Sequence, residues 1–149
     1  MRVLNEAGDE LASTKVPLAK FAEYLAGEAQ DSFSNQETPE GKAWPMKRTE
    51  RLQGRATLVL TGKMMNTVTN VNSGIISLTR KKLRYGVKDM PRAIAHNFGR
   101  KKRSRRGVSN VPPRKFLAMT EETRQALIDI VSDWQRETIT RANRRMRNA

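Results

Sequence analysis

The chain has 149 residues, with 29 Lys or Arg against 15 Asp or Glu, a formal net charge of +14 and 37% hydrophobic content. That length suits one domain with a modest core, and no apolar run approaches the ~18 residues that a membrane span needs. With no cysteine and a single histidine, His96, the composition excludes disulfides, thiolate metal sites and His-rich metal clusters.

The first ten residues carry Glu6, Asp9 and Glu10 and lack the basic-then-apolar layout of a signal peptide. After Pro17, which suits a first helical position, Leu18, Phe21, Ala22, Leu25, Ala29 and Phe33 recur at offsets of three and four. This spacing predicts an N-terminal helix with one apolar stripe, interrupted by Gly27. Residues 34–42 are polar and hold Pro39 and Gly41, which predicts a loop, and Pro45 biases Trp44 toward an extended backbone. A short apolar run, 58–60, is punctuated by Thr61-Gly62-Lys63-Met64. Thr67 to Val71 alternates and is β-branched, Asn72-Ser73-Gly74 reads as a turn, and Ile75 to Thr79 follows, which together predict a β-hairpin. Leu83 to Val87, around Tyr85, is a candidate third strand.

Met90 to Phe98 is apolar enough to pack, and Gly99 ends it. Arg100, Lys101, Lys102, Arg103, Arg105 and Arg106 then place six bases in seven positions. Such a run repels itself, so 99–111 is expected to be a flexible basic loop that orders on a partner. Val111-Pro112-Pro113 stiffens its exit. Thr120 suits a helix N-cap, Glu121 and Glu122 suit the positive end of the dipole, and Arg141 to Arg147 suit the negative end. Leu127, Val131, Trp134 and Thr138 form a stripe flanked by Ile128 and Ile130, predicting a helix over 121–143 with a frayed basic end at 144–149. The order of a helix, a small antiparallel sheet with a hairpin and a long C-terminal helix reads as α+β in one domain over 1–149.

The charge is unevenly spread. Residues 80–115 hold 14 bases and one acid, Asp89, and are +13, whereas the other 113 residues are +1; residues 1–40 carry eight acids against three bases. A basic strip attracts phosphates or acidic protein surfaces over about a Debye length, ~8 Å at physiological salt. Three readings of the 100–106 run stay open: contact with nucleic-acid phosphates, docking on an acidic protein, or a solvated loop. Only Phe98 and Phe116 flank it, so stacking on single strands is not expected, and there is no zinc finger, RNA-recognition signature or obvious helix-turn-helix. His96 has no partnered nucleophile and reads as a packing or hydrogen-bonding residue. Gly62-Lys63 is not a phosphate-binding loop: Thr57 stands where that motif needs glycine, and Met64 where it needs Ser or Thr. Glu121, Glu122, Asp129, Asp133 and Glu137 belong mainly to the solvated face of the C-terminal helix.

Four segments in order resemble a known family. Thr38-Pro39-Glu40-Gly41-Lys42-Ala43-Trp44-Pro45-Met46, followed by Thr49, resembles its "P-[DE]-G-x-x-W-x-P-L" segment. Leu60-Thr61-Gly62-Lys63-Met64 resembles a shortened "L-x-x-T-G-x-L". Ile94-Ala95-His96-Asn97-Phe98-Gly99 resembles "Y-A-x-I-H-Q-F-G", with Ile94 for Tyr and Asn97 for Gln. Val111-Pro112-Pro113-Arg114-Lys115-Phe116-Leu117-Ala118-Met119 resembles "I-P-A-R-P-F-L-G-[LM]", with Lys115 for the second proline and Ala118 for glycine. The family is that of phage virion morphogenesis, or tail-completion, proteins. The resemblance implies a non-catalytic structural subunit of the virion neck or tail end, similar to tail-terminator and head–tail connector proteins. It needs no cofactor or metal, is assembled in the host cytoplasm, and forms a homo-oligomeric ring, a hexamer by the resemblance. Its neighbours would be neck, connector or tail tube and sheath proteins, with virion DNA in the lumen and no membrane partner. It also implies that Trp44, Pro45, Gly62, His96, Phe98, Gly99, Pro112, Arg114 and Phe116 are structural anchors that fix the basic loop. A stand-alone nucleic-acid-binding protein using the strip 80–115 is the alternative.

Overall fold

The computed structural model describes residues 2–46, 62–88, 91–104 and 107–148. The run 58–60, Thr49, Leu60, Thr61, Arg105 and Arg106 lie outside the described residues.

Two helices open the chain, α1 (Arg2–Leu11) and α2 (Lys15–Asn35). The predicted stripe is present in α2: Phe21, Ala22, Leu25, Ala29 and Phe33 are buried, joined by Ala26 and Ser32. Pro17 is the third helical residue rather than the first, and it is buried. Gly27 stands on the open side of the helix, where a methyl group would meet nothing within 4 Å, so it interrupts no packing. Gln36 ends α2 in the left-handed region (φ 58°), held there by its amide Nε2 donating to the Phe33 carbonyl at 2.7 Å. The chain then reverses through a tight turn, with Thr38 N–H on Lys42 O (2.7 Å), a bridge between Glu37 and Ala43, and Trp44 N–H on Gln36 O (2.7 Å).

The next stretch corrects the sequence reading. Residues predicted as the first strand of a hairpin form a helix, α3 (Lys63–Thr69), followed by a single turn, α4 (Val71–Gly74). The alternation of Thr67, Val68 and Thr69 is overridden because Met64 and Val68, four apart, both bury on one helical face. The threonine hydroxyls are satisfied inside the helix: Thr67 donates to Lys63 O at 2.8 Å and Thr69 to Met65 O at 2.9 Å. The presumed turn, 72–74, instead lies inside α4, which Asn70 caps, its Oδ1 accepting from Ser73 N–H at 3.1 Å. The hairpin exists one element later. Strand β1 (Ile75–Leu78) pairs antiparallel with β2 (Leu83–Tyr85), through Ile75↔Tyr85, Ser77↔Arg84 and Leu78↔Leu83. Its turn contains no glycine or asparagine; Thr79 N–H bonds Lys82 O, and Thr14 donates both its N–H and its hydroxyl to Arg80 O at 2.8 Å, tying the turn to the start of α2.

Helix α5 (Pro91–Phe98) ends at Gly99 and leads into a second hairpin, β3 (Arg100–Ser104) with β4 (Gly107–Val111). The expected flexible loop over 99–111 is therefore a paired ribbon. Its described bases stand on β3, and the register sets only uncharged residues opposite them, from Arg100↔Val111 to Ser104↔Gly107. No like charges face each other across the strands, so the repulsion argued from composition does not oppose pairing. The last helix, α6 (Glu121–Arg147), extends beyond the predicted 143 and through most of the segment expected to fray. Thr120 caps it as predicted, its hydroxyl accepting from Thr123 N–H at 3.0 Å.

Helix α2 is the centre of the fold: it packs against α6, and against α3, α4 and the β1–β2 hairpin, while α1 lies along α6. The architecture is α+β, as read from the sequence. The main core joins Ala29 and Phe33 of α2, Trp44, Met64, Val68, Ala93 and Phe116. Phe33 makes an edge-to-face contact with Trp44 (centroids 5.3 Å) and a tilted one with Phe116 (5.5 Å).

Candidate interaction surface

Three of the four motif segments meet at one buried knot. Arg114 is its centre, only 1% exposed. A buried guanidinium must place its donors, and here Nε and Nη2 both donate to the Pro45 carbonyl at 2.9 and 2.6 Å. Its backbone N–H donates to His96 O at 2.6 Å. Trp44, also buried, donates its indole N–H to Lys115 O at 2.9 Å. Lys115 in turn reaches Glu40 at 3.3 Å, and Glu40's carboxyl is held below its ordinary range, chiefly by a hydrogen bond from the Thr38 side chain and further by Lys115. The segments around residues 36–46, 93–99 and 111–119 are thus laced together through backbone carbonyls that no helix or sheet satisfies.

Asn97 completes the knot and is absent from the sequence-derived anchors. Its Oδ1 accepts from Phe116 N–H (3.0 Å) and Leu117 N–H (3.2 Å), and its Nδ2 donates to Leu117 O at 3.1 Å. One side chain so replaces a strand neighbour for an otherwise unpaired segment. The available signal was a short amide at a position where the family pattern carries the longer Gln.

The other anchors fall in different places. Phe116 is buried in the core, and Pro112 and His96 are half-buried. Pro45 is exposed and acts through its carbonyl. Gly62 precedes α3 in the left-handed region (φ 63°), away from the knot's hydrogen bonds. Gly99 has φ +77°, and a methyl group there would sit 3.2 Å from Pro113 N and Val111 O, so it permits the sharp exit from α5 into β3. Phe98 is a correction: it is 72% exposed and lies outside the buried core. On α5 the buried positions are Ala93, Ala95 and Asn97, and an outward pair four apart is Ile94 (63% exposed) and Phe98.

The knot fixes both ends of the basic hairpin. Phe98 and Gly99 lead into β3, and Pro112 and Pro113 lead out of β4 directly to Arg114. On β3, Arg100, Lys101 and Arg103 are exposed; Lys102 shares the strand, while Arg105 and Arg106 fall in the connection outside the described residues. Such a ribbon offers closely spaced cations to phosphate oxygens or carboxylates. Among the described residues, no group of three His, Cys, Asp or Glu could hold a metal ion, and no helix is long and apolar enough to cross a membrane.

Compared with known families, the chain matches the model of the phage virion morphogenesis family over residues 1–135. No curated protein and no solved structure matches it.

Proposed function

The chain belongs to the phage virion morphogenesis family, and from that premise, which makes it a virion-associated protein of phage structure and assembly, we propose that it acts in tail completion or head–tail joining as a ring-forming neck or tail-terminator subunit. The observation that carries this reading is the knot itself. The 38–46, 94–99 and 111–119 segments use their most distinctive residues, Trp44, Asn97 and Arg114, to hold a projecting basic hairpin at both ends. Rigid presentation of a surface element is what an assembly subunit needs, because an ordered hairpin loses less conformational entropy on docking. The uneven charge, acidic over 1–40 and basic over 80–115, supports contacts between copies in which opposite patches meet.

Electron microscopy of purified virions carrying a labelled chain tests the reading, the expected result being density at the neck or a tail end. A chain absent from particles whose tails are complete without it overturns the proposal. The exposed bases Arg100, Lys101 and Arg103 favour a second reading, a stand-alone nucleic-acid-binding protein. That reading requires tight duplex binding by the isolated monomer, falling steeply with salt. A gel shift in moderate salt separates the two, and the virion reading expects no tight binding by monomer.

A further inference from the structure

Ile94 and Phe98 are two of the largest exposed apolar side chains among the described residues, and they stand together. They edge an open groove of about 250 Å³ whose walls include Ile76, Val87, Ala93 and Leu117. Ala93, and Phe116 behind it, belong to the main core, so the groove is the place where the core reaches the surface. Bases adjoin it in sequence: Lys88 and Arg92 are exposed next to the lining residues Val87 and Ala93, and Phe98 leads through Gly99 into the bases of β3.

The complementary surface lies on the same chain, at the end of α2, the turn over 37–41 and the start of α6. Glu28, Asp31, Glu37 and Glu122 line one cleft there; Glu40, Glu121 and Glu122 line a second, and the two share Pro39 and Glu122. This is a continuous surface of six carboxylates, of which Glu40 has Lys115 as an ion-pair partner. Its negative field is felt locally, since Glu28 and Glu122 both help push the Tyr24 hydroxyl upward. Beside it, Met119, immediately before the α6 cap, is 53% exposed. One face is thus an apolar groove adjoined by bases and the other an apolar side chain beside an acidic surface. A flexible thioether is well suited to filling an irregular apolar groove.

We propose that the Ile94–Phe98 groove and the adjoining β3 bases of one subunit dock on the acidic face of a second copy of this chain, with Met119 of that copy entering the groove. The inference rests on the ring-subunit reading and supplies its contact: a heterologous interface, in which one face meets a different face on the neighbour, repeats from copy to copy and closes when the rotation allows. Charge pairing at the rim sets the register, and burial of Phe98, Ile94 and Met119 supplies the apolar centre that such interfaces need.

The absence of cysteine makes the test direct. Mixing full-length Phe98→Cys and Met119→Cys chains under mild oxidation is expected to give a disulfide-linked dimer, and neither variant alone is. A second measurement uses charge reversal at exposed positions: Lys88→Glu with Arg92→Glu in one chain, and Asp31→Lys with Glu122→Lys in another. Each double variant is expected to lose self-association by light scattering while keeping wild-type helicity, and an equimolar mixture is expected to recover it, because the reversed faces match each other. No cross-link, in solution or in particles carrying both cysteines, or reversed variants that assemble like wild type, overturns the interface. The ring-subunit reading is scored separately: a cross-linked species that stops at a closed dimer keeps this interface and removes the ring, whereas neck density without the cross-link does the reverse.

Discussion

Asn97 and Arg114 show how much of the surface depends on two polar side chains. Both are buried, and both satisfy backbone groups of segments that have no sheet partner. Asn97→Ala leaves the Phe116 and Leu117 amides without their side-chain acceptor; the expected cost is about 1–3 kcal/mol, read as a lowered urea midpoint at unchanged m-value. Tyr24 offers a pH test. Its hydroxyl donates to Glu28 at 2.9 Å, and burial first, then the hydrogen bond and the charges of Glu28 and Glu122, push it from 10.0 to about 12. The folded state therefore holds this proton more tightly than the unfolded chain. The resulting stabilisation is fully present below pH 10 and is lost as pH rises toward about 12. Tyr85, pushed up by burial, works in the same direction. In Glu28→Gln the tyrosinate absorbance attributable to Tyr24, isolated by comparison with Tyr24→Phe, is expected to appear at lower pH than in wild type. At this scale the sequence showed the anchors whose chemistry is unusual, Trp44 and Arg114, but not Asn97, because an amide in a helix is common and only its partners reveal its task.

Elements divide by how much of their stability is local. Helices α2 and α6 carry their own periodicity, and α6 its own N-cap, and their positions were legible within a few residues. The stretch from 63 to 74 was not, because its β-branched residues permit helix or strand, and the choice was made by packing. Met64 and Val68 can both reach the core from a helix, and Tyr85 then crosses to donate to Val68 O at 2.6 Å. The Tyr85 ring lies over Gly74, where a methyl group would overlap the ring carbons. Gly74→Ala is accordingly expected to destabilise the protein by about 1–3 kcal/mol through overpacking, and pairing it with Tyr85→Phe relieves little, since the clash includes ring atoms that Phe retains. Thermal denaturation of both variants checks this. The β3–β4 hairpin was hidden for a different reason: charge counted along one strand says nothing about what stands opposite, and here the opposite strand is neutral.

Over the whole molecule, electrostatics organise surfaces rather than stability. The ion pairs that join α1 to α6, Glu10–Arg141 at 3.3 Å and Glu6–Arg145 at 3.9 Å, are solvent-exposed and of the kind worth less than about 1 kcal/mol each. Neutralising the hairpin by Arg100→Gln, Lys101→Gln and Arg103→Gln together is expected to leave folding stability within about 0.5 kcal/mol of wild type, as for other exposed substitutions. The same variant is expected to weaken association and flatten its dependence on salt, measured by light scattering across an ionic-strength series. A net charge of +14 concentrated at +13 in 80–115 was readable without coordinates, as were the α+β order, the two long helices and the family, because composition, periodicity and motif residues are properties of the chain alone. Tertiary structure decided what those residues do: that Phe98 faces outward, that Asn97 and Arg114 hold three distant segments, and that the bases form a paired ribbon beside an apolar groove. Each of these depends on which surface buries the most apolar area and leaves the fewest polar groups unpaired, a balance set by contacts between residues far apart in the chain, such as Arg114 and Pro45, 69 positions apart.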